Sequence, residues 1–339
     1  MSPLLGFCGI IIPRSGIVVK LNCCCPDHIA RRSCIFARNV VYCGYEINRK
    51  AVRLTVEMLH KNPPAGILNQ KKLFIFDMDG TIYLGKLVFD YAIRFIRHLR
   101  ADGRRVLFFT NNASHSTAFY VDKLKRLGFE PTADEIMSSA DVTVAYLHRH
   151  YPGKSVYLVG TEELRRHFRE AGIPLLTGDE EKADIVVSSF DTELTYRKLD
   201  NACRLIRNGA LYLCTHPDLN CPTDTGAIPD SGAIAAFITA ATGVTPRFLG
   251  KPYGEVVDMI EQVTGIDRRD MCIFGDRLYT DIALGTRHGV TSVLVLTGET
   301  SESDLAAAPA DERPDMVYDS LHETDLALFG AGKEAEHGI

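Results

Sequence analysis

The chain has 339 residues, more than one compact core usually holds, so two domains or one domain carrying an insertion is expected. Its 43 acidic residues against 38 basic ones leave a formal charge of −5, which gives nucleic acid or an anionic membrane surface nothing to hold. No apolar run approaches the roughly 20 residues that cross a bilayer, so neither partner is expected, the location is expected to be cytoplasmic, and homo-oligomerisation is left open.

Residues 1–13 are apolar but lack a basic front end and a small-residue cleavage site, so no signal peptide is assigned. Cys8, Cys23, Cys24, Cys25, Cys34 and Cys43 crowd the first fifty residues without the Cys-x-x-Cys spacing of a zinc knuckle. Apart from an amphipathic stretch over 49–60, residues 1–70 have no sustained period, and Pro63-Pro64-Ala65-Gly66 then breaks the chain. The segment reads as an extension, with Met58 as an alternative start that the intact mass of natively expressed protein would decide.

From residue 71 apolar strands alternate with amphipathic helices, the pattern of a parallel sheet covered on both faces. Strands are expected over 73–76 and 105–109, and helices over 91–100 and 116–127. A second alternating block follows, with strands over 155–159, 184–188 and 211–214 and helices over 162–171 and 196–208. Helices over 253–263 and 280–288 and strands over 271–274 and 292–296 then resume the first pattern. The expected organisation is an extension over 1–70, a discontinuous core of 71–150 with 246–330, an inserted α/β domain over 151–245, and a tail over 331–339.

In open α/β sheets ligands sit beyond the carboxyl ends of the strands. Those ends read Asp77-Met78-Asp79-Gly80-Thr81, Thr110-Asn111-Asn112 and Gly275-Asp276-Arg277 with Asp281 close behind, and Gly250-Lys251-Pro252 is a further polar approach. This set suits attack on a phosphate monoester. A carboxylate can approach the dianion only where a divalent cation and fixed donors neutralise the charge. Asp77 and Asp276 can share Mg²⁺, which favours oxygen ligands and keeps waters, while Asp281 would hold a metal-bound water or Lys251. Lys251 supplies a compact positive charge, Thr110 a hydroxyl and Asn111 a backbone amide to the phosphoryl oxygens, and Gly80 lets the backbone come close. Asp79, two residues beyond Asp77, can reach the leaving oxygen as general acid and then activate water as general base.

The Asp-x-Asp-Gly-Thr start, the Thr-Asn pair, the isolated Lys251 and the Gly-Asp-x-x-x-x-Asp run over 275–281 resemble the haloacid dehalogenase (HAD) superfamily of phosphatases, over about residues 72–325. The long interval between Asn111 and Lys251 is similar to that of the NagD/p-nitrophenyl-phosphatase-like branch, which carries a large α/β cap there. The resemblance implies a Rossmann-like parallel-sheet core with an inserted α/β cap. It implies Asp77 as nucleophile, Asp79 as acid and base and, through its carbonyl, a Mg²⁺ ligand, and Asp276 as a Mg²⁺ ligand.

An isolated Asp-x-Asp-Gly also occurs in calcium loops, but the sequence lacks their further oxygen donors and glutamate where it reads Leu84-Gly85-Lys86-Leu87-Val88. His115 and His288 have no orienting partner in the sequence and are expected at the surface or in packing, and the Asn112-Ala113-Ser114 sequon is read as coincidence. The polar, turn-rich stretch over 216–230, with His216, Asp218, Asn220 and Asp224, is expected to be the substrate-specificity loop. It carries three aspartates (Asp218, Asp224 and Asp230) and neither Lys nor Arg, which favours a neutral leaving group. The expected activity is Mg²⁺-dependent hydrolysis of a small phosphorylated metabolite such as a sugar phosphate, polyol phosphate or nucleotide. A phosphotransferase or phosphomutase on the same scaffold, or a non-catalytic binding protein, is the alternative.

Overall fold

Four consecutive apolar side chains, Leu73–Phe76, are all buried, which requires cover on both faces and makes them a central strand of a parallel sheet. The computed structural model describes residues 34–37, 40–43, 61–223 and 226–330. Cys34–Ala37 (β1) and Val40–Cys43 (β2) pair as an antiparallel hairpin in a unit of their own, residues 1–59. Asp224 and residues 331–339 lie outside the described residues, as does most of the expected extension.

The second unit holds both expected sheets. The larger contains β3 (Leu73–Phe76), β6 (Arg105–Thr110), β7 (Ile136–Ser138), β14 (Met271–Gly275), β15 (Thr291–Val295) and β16 (Met316–Tyr318). Their order is β16-β15-β14-β3-β6-β7, and every pairing is parallel. From β3 the chain fills one side of the sheet, leaves, and returns to fill the other. The carboxyl ends of β3, β6 and β14 therefore flank the point where the winding reverses, and a crevice opens there. Phe74, Phe76 and Phe274 stack across β3 and β14 with centroids 5.0–5.9 Å apart. Helix α1 (Asp90–Ala101) closes that face with Ala92, Phe95, Ile96 and Leu99, its i, i+3, i+4, i+7 stripe.

A tight turn, β4 (Tyr83–Leu84) with β5 (Leu87–Val88), follows the Asp77-Met78-Asp79-Gly80-Thr81 segment. Helix α2 (Thr117–Arg126) leads to β7, and α3 (Ser139–His150) leads to the smaller sheet. That sheet is also wholly parallel, in the order β13-β10-β9-β8: β8 is Val156–Val159, β9 Ile185–Ser188, β10 Leu211–Cys214 and β13 Arg247–Phe248. Helices α4 (Glu162–Glu170), α5 (Tyr196–Arg207) and α6 (Ser231–Thr242) accompany it. Between β10 and α6 stands a hairpin, β11 (Asn220–Thr223) with β12 (Gly226–Pro229), and after β13 comes α7 (Glu255–Thr264). The described chain ends in α10 (Leu321–Phe329), after α8 (Ala283–His288) and α9 (Glu302–Ala307). No helix among the described residues is long and apolar enough to cross a membrane.

Two details differ from the sequence reading. Residues 61–70 pack on the larger sheet: Asn62 donates to the Val317 carbonyl, the Tyr318 hydroxyl donates to the Pro63 carbonyl, and Leu68 is fully buried. The helix expected over 280–288 begins as a π-helical turn, Leu278–Ile282, and that turn carries Asp281. Such turns replace the regular i→i−4 spacing and are common where a side chain must be aimed at a site.

Candidate active site

The Asp77 amide still donates to Phe274 in the sheet, so its side chain leaves the strand beside the end of β14. Carboxylate oxygens of Asp77, Asp276 and Asp281 lie within 4.8 Å of one another. Lys251 stands among them with 2% of its surface exposed, its Nζ 2.5 Å from Asp77 Oδ1 and 2.6 Å from Asp281 Oδ1. Burial works against the lysine charge, but Asp281 and Asp77 outweigh it and raise its pKa. Burial pushes Asp77 up to about 6 in spite of Lys251, and burial with Asp77 and Asp281 alongside pushes Asp276 up to about 7. One ammonium does not balance three carboxylates in this space.

The donor set fits a divalent cation. Asp276 Oδ2 accepts from the Glu299 amide at 2.7 Å, but Asp276 Oδ1 is buried without a hydrogen bond. An orphaned carboxylate oxygen of this kind is costly unless an ion takes it up. The backbone helps to make the space: Gly80 has φ +88°, and a Cβ on it would lie 2.3 Å from Asp276 Oδ2.

Thr110 Oγ1 accepts from the Asn112 amide at 3.1 Å. The Asn111 side chain bonds the Lys251 backbone. Asp79 is outside the three-carboxylate group and faces the adjoining cavity. Burial raises its pKa while Lys123 opposes the shift.

That cavity has a volume of about 220 Å³. Its core wall includes Asp77, Asp79, Tyr83 and Lys123, and its cap wall includes Asp218, Asn220 and Cys221. The stretch over 216–230 is thus brought to the cavity, but not as one exposed loop. His216 is fully buried, its Nε2 2.9 Å from Asp230 Oδ1 and its Nδ1 2.9 Å from Thr215 Oγ1, and Asp230 caps the start of α6. Asp218 and Asn220 reach the cavity, and His216 holds the turn behind them.

Several lining residues were not singled out from the sequence. Lys123 follows Tyr120 by three positions on α2, so one helix face delivers both; its Nζ donates to the Tyr83 hydroxyl at 2.8 Å. Arg277 also lines the cavity and pairs with Glu299 at 2.9 Å. The absence of Lys and Arg from the cap stretch therefore does not describe the cavity, because Lys123, Lys251 and Arg277 line it from outside that stretch. His115 is a lining residue too. It stacks on Phe119 at 3.9 Å and pairs with Glu163 of α4 at 3.1 Å, whereas His288 contacts the Pro252 carbonyl. Asn112 of the sequon accepts from the backbone and hydroxyl of Ser114.

The haloacid dehalogenase-like hydrolase family model matches residues 74–174, and a HAD-hydrolase-like model matches residues 248–324. An acid sugar phosphatase of Staphylococcus aureus is 34% identical over 238 residues, covering 70% of this chain and 91% of that protein. The chain belongs to the HAD superfamily. Among solved HAD structures, 4-nitrophenylphosphatase of Thermotoga maritima aligns with a TM-score of 0.73 at 39% identity, over 77% of this chain and 99% of that one. The glycerol phosphate phosphatase of Mycobacterium tuberculosis in complex with magnesium aligns with a TM-score of 0.72 at 30% identity, over 78% of each chain. The chain is a HAD phosphatase of the NagD/p-nitrophenyl-phosphatase-like branch, with a Rossmann-like core and an inserted α/β cap.

Proposed function

We propose that this phosphatase hydrolyses small phosphate monoesters through a covalent phosphoryl group on Asp77, with Mg²⁺ as cofactor. The observation that carries the reading is the grouping of Asp77, Asp276 and Asp281 around a single Lys251, with Asp276 Oδ1 buried and without a hydrogen bond. Asp77, Asp276 and the Asp79 carbonyl would hold the ion, and Asp281 would support it or Lys251 from behind. When bound, Mg²⁺ neutralises charge on the phosphoryl oxygens and on the carboxylates.

In the first step an Asp77 carboxylate oxygen forms a bond to phosphorus as the ester P–O bond breaks, and Asp79 gives its proton to the departing oxygen. Lys251 and the Thr110 hydroxyl balance the negative charge that gathers on the phosphoryl oxygens. In the second step the Asp79 carboxylate takes a proton from water as that water attacks phosphorus, and the Asp77–phosphorus bond breaks to give inorganic phosphate and the original Asp77.

A polyol or sugar phosphate is the proposed substrate class. A cavity of about 220 Å³ is small, and Asp79, Asp218, Asn112 and Asn220 supply hydroxyl partners around it. The acid sugar phosphatase and glycerol phosphate phosphatase relatives support the same class.

The test is release of inorganic phosphate from p-nitrophenyl phosphate and from glycerol phosphate. Turnover is expected with Mg²⁺, to stop with EDTA, to return on adding Mg²⁺, and to fall at least about 10³-fold in Asp77→Asn. Turnover of Asp77→Asn equal to the parent's would refute the mechanism.

A further inference from the structure

The Asn111 side chain, in a residue 5% exposed at the end of β6, has both ends of its carboxamide engaged. Oδ1 accepts from the Lys251 backbone N–H at 2.9 Å. Nδ2 donates to the Lys251 carbonyl at 3.1 Å and to the Asp218 carboxylate, whose two oxygens are each 3.2 Å away. These partners also fix which way the amide points. Turned by 180°, its NH₂ would face the Lys251 N–H and its oxygen would face a carboxylate. Asn111 thus holds the Lys251 backbone as a neighbouring strand would, with one donor and one acceptor, and the lysine stem runs from that backbone to Asp77 and Asp281.

The neighbouring residue shows how tight the seat is. A Cβ on Gly250 would lie 2.7 Å from Asn111 Oδ1 and 2.8 Å from His216 Cβ, so this segment is held between the core asparagine and a cap histidine. His216 is tied to Asp230, and Asp218 lies two residues beyond it. A continuous path therefore joins the cap to Asp77: Asp230, His216, the turn to Asp218, Asn111, Lys251 and Asp77.

We propose that Asn111 is a positioning residue whose carboxamide couples Asp218 of the cap to the placement of Lys251 against Asp77. The coupling deepens the phosphatase reading and rests on it for the function of Lys251. It makes the ammonium fully placed only when the cap turn bearing Asp218 is seated, so binding energy in the cap is felt at the reacting centre. A misplacement of about 1 Å in such a group costs on the order of 100-fold in rate.

The experiment is steady-state kinetics on p-nitrophenyl phosphate with Mg²⁺ for Asn111→Ala, Asp218→Ala and the double variant, with crystal structures of the parent and of Asn111→Ala. The expected result is a fall in kcat of about 10–100-fold for Asn111→Ala with KM changed less than about threefold. Asp218→Ala is expected to cost less. The double variant is expected to be no slower than Asn111→Ala, because both residues act along one path. In the Asn111→Ala crystal, Lys251 Nζ is expected to have moved out of hydrogen-bond reach of Asp77. Fully multiplicative effects, or a lysine unmoved in the crystal, would overturn the coupling and leave Asn111 as a direct phosphate contact. Should Asn111→Ala not fold, Asn111→Ser takes its place with the same readouts. Turnover surviving Asp77→Asn would remove the phosphatase mechanism without changing the crystallographic outcome, so the two failures are distinguishable.

Discussion

Asp276 is hemmed in by two glycines: a Cβ on Gly80 would lie 2.3 Å from its Oδ2, and one on Gly298 would lie 2.0 Å from it. Gly80 also has φ +88°, where an L side chain is strained by roughly 1–2 kcal/mol. Gly80→Ala must therefore push Asp276 aside or unwind the turn that carries Asp79. The expected outcome is a kcat at least about 100-fold lower with a weaker Mg²⁺ requirement curve, read by titrating activity against the metal. A variant with the parent's metal dependence would show that the close approach is not needed. Residues of this kind were readable in the sequence because each polar group directly follows an apolar strand, as Asp77 follows Leu73–Phe76 and Asp276 follows Met271–Gly275. His216 and Asp230 were not readable as buried. Their polar, turn-rich surroundings look like surface, and only the fold shows that they satisfy each other. Lys123 went unnoticed, and Arg277 was given no role at its strand end, because a cation is ordinary until three-dimensional placement brings it to a cavity.

Helices α3 and α4 approach each other through His167 and Asp141, with Nε2 3.1 Å from Oδ1. Asp141 Oδ2 is engaged separately by the backbone and hydroxyl of Ser138 in a capping box, so removing the histidine leaves the start of α3 capped. Pairing with Asp141 raises the His167 pKa above its ordinary 6.5. A folded-state pKa above the unfolded one means stabilisation that is complete below about pH 6.5 and lost as pH rises through the folded value. The gap in stability between the parent and His167→Gln is thus expected to be about 0.5–1 kcal/mol at pH 6 and to close by about pH 9, as measured by urea unfolding. A gap independent of pH would assign the histidine to packing alone. At this scale the sequence showed the amphipathic helices α1 and α5 and the apolar strands. It did not show α6: apart from Ser231 and two threonines, Ser231–Thr242 is built of small and apolar residues, with no polar face to mark a helical period. Nor did it show β7, since three residues are too few for alternation to register.

For the whole molecule, the strands and turns that bring Asp77, Lys251, Asp276 and Asp281 together lie between Leu73 and Asp281, and the second compact unit begins at His60. A chain of residues 58–339 keeps Lys61 and Asn62, which pair with Val317 and Asp319 around β16. It is expected to fold and to retain kcat within about twofold of the full chain, by the p-nitrophenyl phosphate assay. A large loss would assign residues 1–57 a part in the working enzyme. The parallel alternation and the interruption by a second α/β block were legible because both repeat over many residues. The fourth cap strand, Arg247–Phe248, was not, because two residues carry no pattern and it is the pairing with β10 that makes them a strand.

The placement of the cap between β7 and β14 also bears on how the enzyme is made. Leu73 pairs with Arg105 on one side and with Met271 on the other, so β3 emerges from the ribosome with one neighbour soon available and the other far off. Until β14 is synthesised, half of the sheet exists with an open apolar edge beside Asp77. The intervening cap, with its own four-stranded sheet, can collapse first and draw the ends of that long loop together, easing a closure that would otherwise be slow. Asp77, Asp276 and Asp281 can therefore come together only after the chain through β14 and the turn behind it has been made, and premature release of the growing chain would leave a species prone to associate through β3.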